Sequence, residues 1–125
     1  MMSRSNSLRR LIMTNLKTVC NDVYYKRADD DKIYPHVVFN LMRANTGDLS
    51  RKDFIVAVDI WDKDNQERNE EHADAVEDAF SNKNMPQEDI LPTFFTESRR
   101  NVEDEDKSIN HIQVEISVQL YEKER

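Results

Sequence analysis

Three carboxylates close the stretch FIVAVDIWDKD, at Asp59, Asp62 and Asp64. Acids gathered where a strand ends can hold a divalent cation against a phosphodiester, so the first chemistry to weigh is that of a small metal-dependent nuclease. Read as a calcium loop from Asp62, the segment DKDNQERNEEHA puts oxygen-bearing side chains at its first, third and fifth places. It then has Glu67 where the tight turn needs glycine, and Ala73 where a bidentate glutamate would close the cage. A second candidate, Glu105 and Lys107 in VEDEDKS, has the Glu-x-Lys spacing in which a lysine orients an attacking water, but it lies in a polar connection with no partner carboxylate set up on a preceding strand. The plainer account places Asp62 and Asp64 in a solvated strand-to-helix turn. Glu67, Glu70 and Glu71 then sit near a helix N-terminus, where negative charge meets the positive end of the helix dipole. No metal, cofactor or catalytic residue is expected.

Other catalytic patterns are missing for definite reasons. Gly47 is the only glycine, so neither a phosphate-cradling P-loop nor a dinucleotide fingerprint can be written. His36, His72 and His111 fall on three different predicted elements without the i, i+4 pairing of a zinc motif. Cys20 is the only cysteine and has no histidine or second cysteine near it in sequence, which removes an intramolecular disulfide and fits a reducing compartment.

Composition narrows the classes further. A chain of 125 residues suits one domain, 1–125, with a real core. Its formal net charge of −7 sets it against nucleic-acid phosphates as a whole, and basic pairs such as Arg9 and Arg10 or Arg51 and Lys52 are too short to offset this. Specific nucleic-acid binding is therefore not expected. Near the N-terminus the apolar run LRRLIMTNLKTVC is interrupted by Thr14, Asn15 and Lys17, well short of a membrane span, and no small-residue cleavage site follows, so an amphipathic helix is expected there and no membrane partner.

The elements follow from periodicity. Leu8, Leu11, Ile12, Leu16 and Val19 predict a helix over residues 7–20, capped by Asn6 or Ser7. Val23 and Tyr25 alternate, ADDDK turns, and Val37, Phe39 and Leu41 alternate again, which predicts two strands with Pro35 at the start of the second. ANTGDLS reads as a turn or longer loop. From Asp53 to Trp61 a third strand has Phe54, Val56, Val58 and Ile60 on one face and Ile55, Ala57 and Trp61 on the other. Such a strand is central and has its second face covered too, by a helix, a loop or a neighbouring subunit. Ala73, Val76 and Phe80 predict an amphipathic helix over residues 69–81, a fourth strand runs from Phe94 toward Arg100, and strict alternation from Ile112 to Leu120 predicts the last. The order α-β-β-β-α-β-β predicts an α+β fold, an antiparallel or mixed sheet with two helices packed on one face.

Taken together, VYYKRADDDKIYPHVVFNLM, RKDFIVAVDIWDKDNQ, EEHADAVEDAF and TFFTESRRNVEDEDKSINHIQVEISVQLY resemble, in that order, the tail-terminator or tail-completion proteins of siphophages, also called head-tail joining proteins. The resemblance rests on a tyrosine-rich strand followed by Arg27 and Ala28, on Y-P-x-V-V-F at Tyr34 to Phe39, on V-D-I-W at Val58 to Trp61, and on the acidic second helix and closing strand. These are packing motifs, and their co-linear order carries the likeness.

What it implies is a non-enzymatic virion structural protein in the tail neck, assembled in the host cytoplasm. The implied assembly is a ring of six copies on the head-proximal end of the tail tube, which ends tube growth and offers a surface to the head. The partners implied are the chain itself, the tail-tube protein and a head-completion or connector protein, with genome DNA passing through the lumen. Whether the acids line that lumen or lie outside stays open. Alternatives are another neck or head-completion component, or a nuclease using Asp59, Asp62 or Glu105. Trp61 is expected to be packed, in the monomer or against a neighbour. The segment from Arg99 through Arg100, Glu103, Asp104, Glu105 and Asp106 to Lys107, basic then acidic, is expected to dock on a partner ring.

Overall fold

The structure is a computed structural model that describes residues 3–44 and 51–122. The turn expected around Gly47 lies outside the described residues. Helix α1 (Arg4–Leu16) starts three residues earlier than its periodicity suggests, because Ser3 is the N-cap and its hydroxyl accepts the Asn6 amide at 3.1 Å. Strand β1 (Val23–Tyr25) and strand β2 (His36–Arg43) follow. The Tyr34–Pro35 peptide between them is cis. The long central strands are β3 (Arg51–Lys63) and β6 (Ile109–Glu122), with helix α2 (Gln66–Phe80), the short β4 (Lys83–Asn84) and β5 (Ile90–Val102) between them in the chain. Helix α2 is capped by Asn65, whose side chain accepts the Arg68 amide at 2.9 Å.

These strands form one sheet in the order β1-β2-β3-β6-β5-β4, mixed because β1 runs parallel to β2 while every other pair is antiparallel. The expected α+β architecture is the one observed, with β4 as a two-residue addition. Alternation decides the faces. Phe54, Val56, Val58 and Ile60 of β3, with Ile112, Val114, Ile116, Val118 and Leu120 of β6, turn to one side and are buried. Leu8, Ile12 and Leu16 of α1 and Ala73, Val76 and Phe80 of α2 close over them in a single core. On the other face no helix lies among the described residues, and Ile55, Ala57 and Trp61 of β3 are only half-buried. The expected cover is supplied only in part: the segment between β1 and β2 lies over the β2 side of that face and buries His36 and Val38, while Ile55 and Ala57 have no described helix above them. Among the described residues no helix is long and apolar enough to cross a membrane.

Candidate functional site

The uncovered face carries the polar and aromatic side chains that the strands bring into one rank. Cross-strand register puts His36 of β2 opposite Trp61 of β3, Trp61 opposite His111 of β6, and His111 opposite Val102 of β5. The three rings are near parallel: Trp61 lies 3.6 Å from His111 between centroids with planes 17° apart, and 6.2 Å from His36 with planes 13° apart. Tyr34 extends the row, its ring 4.9 Å from that of His36. His36 Nδ1 donates to the Ile33 carbonyl at 3.0 Å, and burial pulls its pKa below the ordinary value against that bond, so the ring is neutral near pH 7. His111 Nε2 donates to Asp59 at 2.7 Å, the Gln113 amide donates to the same oxygen at 3.0 Å, and Arg100 in turn donates to Gln113 at 2.8 Å. The result is a rank of stacked rings edged by a hydrogen-bonded line from β5 to β3. Beside it opens a cleft of about 490 Å³ between the sheet and the segment that leads into β2, lined by Lys26, Arg27, Lys32, Tyr34, His36, Asp59, Trp61 and Asp104 among others.

The candidate carboxylates separate rather than converge. Asp59 is on the uncovered face, engaged by His111 and Gln113. Asp62 was expected in a solvated turn. It is instead fully buried on the helix-covered side, where Arg68 holds it through two bonds of 2.7 and 2.6 Å and the Lys63 amide donates at 2.8 Å. Its parity explains this: Asp62 continues the inward series Phe54, Val56, Val58, Ile60, so the chain must supply a cation, and the first turn of α2 does. Asp64 is exposed in the turn, with φ 55°. Glu105 and Lys107 are exposed in the connection before β6. Among the described residues no group of three or more His, Cys, Asp or Glu stands close enough together to hold a metal ion. Cys20 is in the core cluster, where burial pushes its thiol pKa up and leaves it a poor nucleophile.

Burial disfavours the ionised Asp62, but the Arg68 and Lys63 hydrogen bonds and the Arg68 charge outweigh it and hold the carboxyl below its ordinary value of 3.8. A depressed folded-state pKa contributes stability that is present above the unfolded value and lost as pH falls through the folded one. Thermal unfolding followed from pH 7 downward should therefore show a loss beginning near 3.8 that Asp62→Asn flattens, at the cost of a lower Tm at neutral pH. Identical acid profiles for the two proteins would remove Asp62 from this role.

The expected docking segment divides. Arg99 and Arg100 are not in a loop but in β5, and they point to opposite faces. Arg99 bonds Asp74 and Glu77 of α2, whereas Arg100 lies on the uncovered face with Gln113. Glu103 to Lys107 form the true connection, ordered by two Asp-centred turns in which Asp104 accepts the Asp106 amide at 2.9 Å and Asp106 accepts from Ser108. Reversing both arginines together would thus mix two effects. Arg99→Glu should set a third carboxylate against α2 and cost about 1 kcal/mol or somewhat more of stability. Arg100→Glu should leave the melting curve unchanged, and urea titration of the two single variants checks the split.

No protein-family model matches the chain, and no curated protein matches it in sequence. Among solved structures, a chain in the virion of the native gene transfer agent (GTA) particle is similar, with a TM-score of 0.69 at 10% identity, over 90% of this chain and 92% of that one. The fold is thus shared with a chain of a virion particle nearly end to end.

Proposed function

We propose that this chain is a structural protein of a phage-like virion, and that within it the chain forms a ring on the head-proximal end of the tail tube, ending tube growth and presenting the head-joining surface. The observation that carries the reading is the shared fold with a virion chain over 90% of the length. The uncovered sheet face supports it. Ile55, Ala57 and Trp61 on one side of a central strand are what a chain keeps when a neighbour completes its burial. The rank of rings and the hydrogen-bonded line beside it are suited to binding a surface. The Asp59–His111 pair orients an imidazole, but that ring lies flat on Trp61, which fits packing better than proton transfer. In this reading the chain is not an enzyme, and its partners are further copies of itself, the tube protein and the head connector.

Electron microscopy and native mass measurement of the purified protein, alone and with its tube protein, test the proposal. Rings, and rings capping tube ends, are expected. Loss of the gene should leave tubes of uncontrolled length; tubes of normal length with empty, unjoined heads would instead favour a head-completion role.

A further inference from the structure

On the helix side of the sheet, beyond the end of β1, the described residues leave a lane open. Strand β1 pairs with β2 only over Val37 to Phe39, and at Lys26, with φ 74°, it turns away. The Lys26 amide still donates to the Phe39 carbonyl at 2.9 Å, while the Ala44 amide on the other side donates to Asp53 of β3 at 2.9 Å. Alternation then turns the amides and carbonyls of Leu41 and Arg43 outward, where no described strand lies beside them. The lane opens into a groove of about 380 Å³ between β2 and the start of α1, bordered by Arg9, Tyr25, Lys26, Leu41, Arg43 and Phe54. Every described charged residue bordering it is a cation, in a chain of net charge −7. Arg9 and Lys26 lie over the Tyr25 ring at 5.3 and 5.7 Å, and among the described residues Arg9, Lys26 and Arg43 make no ion pair.

A complementary feature lies at the diagonally opposite corner of the sheet. Arg43, Phe54, Val118 and Phe94 mark one end of the strands, and His36, Trp61, His111 and Val102 the other. The groove is at the first end beside β2, and the acidic connection leaves β5 at the second; Asp104 turns toward the cleft on the other face that Lys26 also borders, whereas Glu103 and Glu105 line neither that cleft nor the groove. There Glu103 and Glu105 are exposed and, among the described residues, have no ion-pair partner.

We infer that the basic groove beside β2 receives the Glu103–Asp106 connection of a second copy of this chain, with Glu103 and Glu105 meeting Arg9, Lys26 and Arg43. The inference rests on the ring reading and adds to it a head-to-tail contact. Each copy gives its acidic connection to one neighbour and receives that of another, so the contact is heterologous and closes into a ring if the rotation allows. The charges set register and encounter rate, so assembly should weaken as salt rises.

A charge swap tests it, with each variant first shown by circular dichroism to be folded. Arg9→Glu with Arg43→Glu, and separately Glu103→Lys with Glu105→Lys, should each raise the apparent dissociation constant of the assembly about tenfold or more in sedimentation velocity. The quadruple variant should return to within about threefold of the original. If the groove pair does not fold, Arg9→Ala with Arg43→Gln replaces it, with a smaller loss expected in the same direction. A groove variant that assembles like the parent would overturn the inference while leaving the ring intact. One that still forms rings but no longer meets the tube protein would assign the groove to that partner and also overturn it. A parent that stays monomeric at every concentration, on tubes as well as alone, would sink the ring reading itself.

Discussion

Phe80→Ala should destabilise the protein by about 3 to 5 kcal/mol. Phe80 is the last residue of α2 and has no exposed surface, with its ring centroid 5.1 Å from that of Phe94 on β5. Removing the phenyl group forfeits its transfer from water and leaves a cavity between a helix end and a strand, two rigid walls that relax only in part. More than packing hangs on this contact, because α2 also carries Arg68, the counter-charge of buried Asp62, and the Asp74 and Glu77 carboxylates that hold Arg99. In urea the midpoint should fall with an unchanged slope, and Phe80→Leu should recover most of the loss. A cost under about 1 kcal/mol for the alanine variant would mean that α2 does not pack as described.

Trp61→Ala should have the larger effect on function and the smaller one on folding. A fully buried tryptophan would cost about 3 to 5 kcal/mol; Trp61 is half-buried, stacked on His111 and His36 across the uncovered face, and less than about 3 kcal/mol is expected. The folded monomer should persist while rings and tube capping are lost, because truncation takes the largest side chain out of the middle of the rank. Two measurements check this together: urea unfolding of the variant, and counting capped tube ends by electron microscopy. Capped tubes at the original frequency would move the contact surface away from this face.

Much of the fold could be read from periodicity, since both helices and β2, β3 and β6 declare themselves through apolar spacing that the core then uses, whereas for β5 the sequence predicts only the stretch from Phe94 toward Arg100 and the strand in fact runs Ile90–Val102. Polar residues inside the pattern were harder to read. Asp62 follows the inward parity of β3, but a charge at the end of a strand resembles a turn until its cation is found six residues on, in a helix whose cap is Asn65. Arg99 and Arg100 read as the start of a connection because the outer end of β5 has no neighbour beyond β4 and can afford charge on both faces. The parallel pairing of β1 with β2 had no visible signal, since the segment joining them contains no crossover helix. The rank of His36, Trp61 and His111 was hidden for another reason: register between strands far apart in sequence is a tertiary fact, and only the mixed polarity of the alternate residues hinted at a special face.

The pairing of β3 with β6 also bears on how the chain is made. These two strands run side by side from Arg51 opposite Tyr121 to Lys63 opposite Ile109, yet α2, β4 and β5 are synthesised between them. During translation β3 therefore leaves the ribosome with one long side unpaired and its apolar face open, and it waits for a partner still to be polymerised. Pairing so distant in sequence is slow, and in the interval β3 is the segment on which a chaperone would be expected to sit. A product stopped short of residue 109 would lack one of the sheet's two central strands, and with it the cross-strand partner of β3 and the pairing of β5, so truncated chains should neither fold nor enter the proposed ring.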